Sequence, residues 1–405
     1  MKTVGVVVEY NPLHNGHAYH LQESKRQTGA EAAVAVMSGH FLQRGEPAIV
    51  NKWARTEMAL RAGVDLVLEL PFVFAVRNAE IFSYGAVATL HATGVVDTLC
   101  FGSESGKIDW MVKLARHLTV EPESFKDKIR QALDSGVSYP TAYGLAVNDF
   151  AASQGLSPGV NVSEPNNILG LGYCVALERL KSPIVPATIQ RTKAGYHQSH
   201  ITDNRIASAT ALRKLIFEKD LSAIKPYVPG ATYDILNRFA VAGHFPMSWD
   251  LFFPYLQSMM IANQPDELQF ILEITEGLEN RIMKTMPHAG SFDSLMDQLK
   301  TKRYTWNRLQ RVLLYTLFRL TREKTARAGS EPAYIRVLGF TDKGRSLLRK
   351  MKDKSSLPVI TRIGQVKHPM LDLDIRAGMM YAMGLPEQLR EREKLRDYWQ
   401  APVQL

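Results

Sequence analysis

The chain has 405 residues, 45% of them apolar and 22% charged, which excludes wholesale disorder and leaves ample material for a buried core in two or three domains. Its 49 Lys plus Arg exceed 40 Asp plus Glu for a net charge of +9, which admits a polyanionic partner such as RNA without requiring one. Cys100 and Cys174, both in apolar segments, are too few for a disulfide framework or a zinc site. The first apolar run stops at Glu9, too short for a signal peptide, and no run approaches the ~20 apolar residues of a membrane span. A soluble cytoplasmic protein with reduced, buried thiols is expected.

Short β-branched runs at Val4–Val8, Ala32–Met37, Val64–Leu70, Val95–Phe101 and Ile184–Ile189 alternate with helix-like stretches at His17–Arg26, Asn51–Ala62, Ala79–Thr93 and Asn167–Leu180. That alternation predicts an α/β fold, a parallel sheet with helices on both faces. Ligands bind such sheets outside the carboxyl ends of the strands, at the switch point. The polar segments "EYNPLHNGH", "SGHFLQRGEP" and "GSESG" follow strand ends. Residues 105–160 read as a mostly helical insertion that runs into the turn-rich "SQGLSPGVNVSEPNN". From Pro226 helical periodicity dominates through Leu320, followed by possible strands in "AYIRVLGF" and "LPVITRIG" and a helical tail. A boundary near residues 220–230 divides a first domain, 1–220, from a mostly helical second domain, 221–405.

In "HNGH" a helix starting near Asn15 or Gly16 turns unpaired N–H groups and a positive dipole end toward the first strand tip, an arrangement that attracts phosphate. Gly16 removes a Cβ from the approach. His14 and His17, three apart, can point to one side and donate to charge that grows on phosphates during attack at an α-phosphate. Such chemistry needs positioning and charge stabilisation, not a protein nucleophile. The pair is also compatible with a metal site lacking a clear third ligand, with surface polarity, or with a His14 that satisfies a turn. A second signature, "RIASATALRK" from Arg205 to Lys214, opens another helix. Ser208 and Thr210 can cap it, and Arg213, one turn on, can neutralise pyrophosphate; an ordinary capped helix is the competing reading.

"HNGH" with "IASATALR" resembles the HIGH-type nucleotidyltransferase superfamily. More narrowly, "VGVVVEYNPLHNGHAYHL", "QRGEPAIVNKWARTEMAL", "LELPF", "FGSE" and "PNNILGLGY" resemble the bacterial tRNA(Met) cytidine acetate ligase family over residues 1–215, with a weaker match at "KRYTWNRLQR". The resemblance implies a Rossmann-like parallel sheet of the HIGH nucleotidyltransferase type. It implies activation of acetate by ATP to acetyl-AMP, then attack by the exocyclic amine of the wobble cytidine in elongator tRNA(Met). Carried over by position, it implies an ATP site at Val7, Val8, Glu9, Tyr10, Asn11, Pro12, Leu13, His14, Asn15, Gly16, His17, Ala18, Tyr19 and His20, with Gly102, Asn166 and Arg191. His14 and His17 are the expected catalytic pair. Gly102 is equally readable as a turn glycine, Asn166 as a helix cap with Asn167 its near equal, and Arg191 as a surface cation. Lys25, Arg44, Lys52, Lys193 and Arg213 are further electrostatic candidates. Magnesium is expected on the triphosphate, held mostly by phosphate oxygens, so that no protein ligand stands out. His40, where that family more often has Asn, and "KAGYH" imply an altered substrate rim.

Between Lys300 and Arg327 stand nine basic residues opposed only by Glu323, with Tyr304, Trp306 and Tyr315 interleaved. Cations that hold an RNA backbone and aromatics that stack on unpaired bases fit that pattern, as does a core helix with solvated charges. "KGRSLLRKMKDK" from Lys343 could extend the basic surface. Two rivals share the signatures: a nucleotidyltransferase that makes a dinucleotide-like cofactor from ATP and a phosphorylated small molecule, and a non-catalytic RNA-binding protein with a relic nucleotide pocket.

Overall fold

The computed structural model describes residues 1–156, 161–191, 207–262 and 265–405. In chain order the first half runs β1 (Thr3–Val8), α1 (Asn15–Thr28), β2 (Ala32–Ser38), α2 (Lys52–Arg61), β3 (Leu66–Leu70), α3 (Phe72–Ala75), α4 (Ala79–Ala92), β4 (Thr98–Ser103), α5 (Asp109–Leu118), α6 (Glu123–Asp134), α7 (Tyr139–Ser153), α8 (Pro165–Arg179), β5 (Val185–Gln190) and α9 (Ala209–Glu218). The five strands are the five apolar runs of the sequence, shifted by up to three residues at their ends. The helical insertion is α5 to α7.

The second half holds α10 (Gly230–Val241), α11 (Phe253–Ala262), α12 (Pro265–Leu268), α13 (Leu278–Thr285), α14 (Phe292–Leu299), α15 (Trp306–Leu317), α16 (Arg322–Ala328), β6 (Ile335–Phe340), α17 (Asp342–Lys354), β7 (Val359–Ile360), α18 (Pro369–Ala382), α19 (Glu387–Lys394), α20 (Arg396–Trp399) and β8 (Val403–Gln404). All strands join one sheet in the order β5-β4-β1-β2-β3-β6-β7, with β8 also on β6. β1 to β5 are parallel, and β6 runs antiparallel to β3. Beyond residues 220–230 the chain is mostly helical but returns to cover β3, a fully buried strand that would otherwise expose an unpaired edge.

β2 shows why the sheet reads so clearly in sequence. All its residues are buried, and alternate ones enter opposite cores: Val34 and Val36 on one face, Ala33, Ala35 and Met37 on the other. A strand covered on both faces is a continuous apolar run. One core takes α1, α2 and α9 through Leu21, Trp53, Met58 and Leu212. The other takes α4 and α8 and continues through Leu256, Leu295 and Leu313 of the second half. Cys100 and Cys174 are free and buried, and burial pushes their thiols up to about 11 and about 12. Among the described residues no helix is long and apolar enough to cross a membrane.

The strand order reverses between β1 and β4. The crevice at that switch point opens at the carboxyl ends of β1, β4 and β5.

Candidate active site

β1 ends at Val8, and Tyr10 turns the chain with a φ of 50°, a left-handed backbone that a bulky residue holds only when its surroundings enforce it. Tyr10 is buried, its ring edge-on to His17 with centroids 5.1 Å apart. His14 occupies the position just before α1, and its backbone N–H donates to Nδ1 of His17 at 3.4 Å. An accepting Nδ1 puts the proton of a neutral ring on Nε2, which is thereby a donor. The two rings stack at 3.7 Å. Burial, reinforced by Arg191 and Arg213, pushes His14 down to about 3. Burial and then His14, Arg191 and His20 hold His17 well below the usual histidine range, and burial with Arg191 pushes His20 down to about 4. At neutral pH all three are uncharged hydrogen-bonding rings.

These rings face a cavity of about 290 Å³ at the switch point. Asn11 Nδ2, His14 Nδ1 and His20 Nε2 are buried there without a hydrogen-bond partner among the described residues. Orphaned buried polar atoms of this kind mark a place built for a ligand. Two guanidinium groups flank them. Arg213, on α9 behind the Ser208 cap, donates to Asn11 O at 3.0 Å and to both Glu46 oxygens at 2.9 and 3.1 Å. Arg191 follows β5 and donates to Asn166 Oδ1 at 3.4 Å. The opposite wall is apolar, with Phe82, Phe101, Leu169, Tyr173 and Ile189.

Gly102 is more than a turn glycine. A Cβ there would lie 3.1 Å from Cγ of Arg191, so the missing side chain makes room for the arginine stem. The asparagines do not cap α8 themselves. Glu104 does so from the β4 tip, accepting from Asn166 N at 3.1 Å, Asn166 Nδ2 at 2.5 Å and Asn167 N at 2.8 Å. This leaves Asn166 lining the cavity, while Asn167 is tied to Ser105 N and Asn161 O.

Of the expected ATP-site residues, Val7, Val8, Glu9, Tyr10, Asn11, His14, Gly16, His17, Tyr19, His20, Gly102, Asn166 and Arg191 line the cavity. Pro12, Leu13, Asn15 and Ala18 do not: Leu13 is buried in the core beneath the loop, and Asn15 Nδ2 donates to Pro226 O at 3.1 Å. Arg44 and Arg213 line it too. Two electrostatic candidates are corrected. Lys25 Nζ is bound to Asp65 at 2.9 Å and Gly63 O at 2.7 Å, at the other end of the sheet. Lys52 is fully buried between Glu69 and Asp397, each 2.8 Å away. His40 belongs beside that buried pair and does not line the cavity, so it is no part of a rim. Lys193, the "KAGYH" stretch and Arg205 lie outside the described residues.

Gln43 and Glu46 also line the cavity, from a segment in which the sequence singles out only Arg44. Phe82, Leu169 and Tyr173 read in sequence as ordinary core. The loop carrying Gln43, Arg44 and Glu46 is seated on the second half of the chain. Gln310 of α15 donates to Arg44 O at 3.1 Å, and the Trp249 indole donates to Gly45 O at 3.0 Å.

The basic stretch divides. Tyr304 and Tyr315 are buried, and Trp306 is half-buried with its indole on Gln310, so these aromatics form part of the core and not an RNA-stacking row. Arg311 is buried against Glu273 at 3.3 Å. Lys300, Lys302, Arg303, Arg319, Arg322, Lys324 and Arg327 are exposed, the first three before α15 and the others after it. α17 does not extend them: Lys343 Nζ reaches Glu31 O, just before β2, at the amino ends of the strands and away from the cavity.

Residues 1–397 match the family model described as HIGH Nucleotidyl Transferase. A protein of Bacillus licheniformis named tRNA(Met) cytidine acetate ligase is 44% identical over 100% of this chain and 97% of its own. A Bacillus subtilis protein of the same name is 40% identical over the same shares. The crystal structure of Thermotoga maritima TmcAL in its apo form superposes with a TM-score of 0.93 at 36% identity, covering both chains fully. The same protein bound with alpha-thio ATP gives 0.91, again at 36% identity and full coverage.

Proposed function

The chain belongs to the HIGH nucleotidyltransferase family, and on that premise we propose that it is an ATP-dependent ligase that acetylates the wobble cytidine of elongator tRNA(Met). The observation that carries this reading is the set of orphaned polar atoms, neutral imidazoles and two guanidinium groups around one cavity. ATP is the substrate that fits it. The apolar wall accepts a planar base, and the donors and cations receive the triphosphate.

An acetate oxygen attacks the α-phosphorus, forming acetyl-AMP as the bond to pyrophosphate breaks. His14 and His17 donate to oxygens whose charge grows in that step, and Arg213 and Arg191 balance the leaving pyrophosphate. Magnesium enters with the triphosphate as part of the substrate. Phosphate oxygens would supply most of its ligands. The cytidine amine then attacks the acyl carbon and AMP leaves. The exposed cations from Lys300 to Arg327 support contact with the tRNA backbone, and such work belongs in the cytoplasm.

Incubation with ATP, labelled acetate and elongator tRNA(Met) tests the proposal. Label in RNA, dependent on ATP and accompanied by AMP and pyrophosphate, is expected. Uptake only with a phosphorylated small molecule, and no RNA product, sinks it.

A further inference from the structure

A triphosphate site is made of donors and cations, yet two carboxylates line this cavity, Glu9 and Glu46. A carboxylate side chain cannot hold a phosphate, so each must serve something else. Glu46 gives both oxygens to Arg213. Glu9 gives only one. Its Oε1 accepts from Gln43 N at 2.8 Å and from the Ser38 hydroxyl at 3.4 Å, while Oε2 has no hydrogen-bond partner among the described residues. Oε2 is also not among the buried orphaned atoms, so it is open to the cavity.

The position separates Glu9 from Arg191, one of the two phosphate-facing cations. It follows β1 and is anchored to Ser38 at the end of β2. Gly102, Asn166 and Arg191 lie across β1, on the β4 and β5 side. Glu9 is therefore an acceptor on the flank of the cavity opposite Arg191. A cytosine amine offers two N–H donors, and a carboxylate is the side chain that accepts from it.

We propose that Glu9 receives the exocyclic amine of the cytidine and takes its proton as the acetyl group is transferred, an assignment that rests on the proposed acetylation. The amine nitrogen forms a bond to the acyl carbon, and the bond from that carbon to the AMP phosphate oxygen breaks, its electron pair leaving with AMP. The nitrogen's proton passes to Glu9 Oε2 and from there to water. The surroundings suit a base: burial raises the Glu9 carboxyl above the ordinary range, the Gln43 N–H opposes that, Glu46 adds to it, and Arg44 and Arg55 oppose it.

The two half-reactions distinguish this role from a structural one. Transfer is measured in a single turnover with synthetic acetyl adenylate and elongator tRNA(Met), and adenylation by acetate-dependent exchange of pyrophosphate into ATP. Glu9→Gln lowers transfer by about 10²–10⁴-fold, the range of a lost general base, with a distinctly smaller loss of exchange. Wild-type transfer falls at acid pH with a limb that Glu9→Gln abolishes and Glu9→Asp retains. Equal loss of both half-reactions, as a metal ligand or a buttress of the Gln43 loop would give, overturns the proposal. So does an acid limb that survives in Glu9→Gln, or none in the wild type, which needs no variant to fold. A wild type that performs exchange but never transfers acetyl to tRNA sinks the acetylation itself, and the role of Glu9 with it.

Discussion

His17 shows how one backbone bond sets the chemistry of a side chain. Because the His14 N–H occupies Nδ1 of His17, a neutral His17 carries its proton on Nε2, ready to donate. His17→Ala should therefore lower acetate-dependent adenylation by about 10²–10³-fold, the cost of one donor aimed at developing charge, and change tRNA affinity little. Parallel loss of tRNA binding in a filter assay would contradict that. The same burial has a stability consequence. Unfolded histidines take up protons below about pH 6.5, whereas His14 and His20 in the folded chain wait until about 3 and about 4. Over that window the unfolded state binds more protons, so acidification destabilises the fold, and stability returns as pH rises back through 6.5. The melting temperature of the empty protein should fall from about pH 6.5 toward 4, and His20→Asn should flatten part of the fall.

At the scale of elements, the loop after β2 depends on a helix far along the chain. Gly45 has a φ of 80°, and a Cβ there would lie 2.7 Å from both Cα and N of Arg311 in the α15 backbone. Neither obstacle can swing aside. Gly45→Ala should cost about 2 kcal/mol or more in denaturant unfolding and should raise the KM for ATP, because Arg44 and Glu46 move with the loop. A variant with wild-type KM would show that the loop is not held by α15. This dependence also marks the limit of what sequence makes legible. β2 and the "HNGH" helix are local patterns, an apolar run and a glycine between histidines, and both occur where the pattern puts them. Glu46 faces the cavity only because Arg213 and α15 meet its loop in space. Tyr315 looks able to stack on a base until its hydroxyl is found on Val76 O at 2.6 Å. Phe82 and Tyr173 have the same apolar character as the core around them, so periodicity cannot separate cavity wall from packing.

Across the whole molecule, charge plays two separate parts. Outside, Lys302 and Arg303 are exposed, and neutralising both should weaken tRNA binding. The dependence of log Kd on log salt should become shallower by roughly 0.7–0.9 for each phosphate that is no longer neutralised. An unchanged slope would place the RNA elsewhere. Inside, Lys52 of α2, Glu69 of β3, Arg336 of β6 and Asp397 of α20 form a closed set of two cations and two anions. Arg336 reaches Glu69 at 3.1 Å and Asp397 at 2.7 Å, and none of the four side chains is more than 5% exposed. The set ties the first half to the C-terminal helices through groups that cannot be left alone. Lys52→Met strands a negative charge in the core and should cost about 3–5 kcal/mol. Asp397→Leu alone strands a positive one. Lys52→Met with Asp397→Leu restores neutrality around Glu69 and Arg336, so the double variant should be more stable than the sum of the two losses. Urea unfolding of the four proteins measures that coupling. Strict additivity would mean that the charges are individually solvated, and a specific loss of ATP affinity in folded Lys52→Met would return Lys52 to the phosphate site.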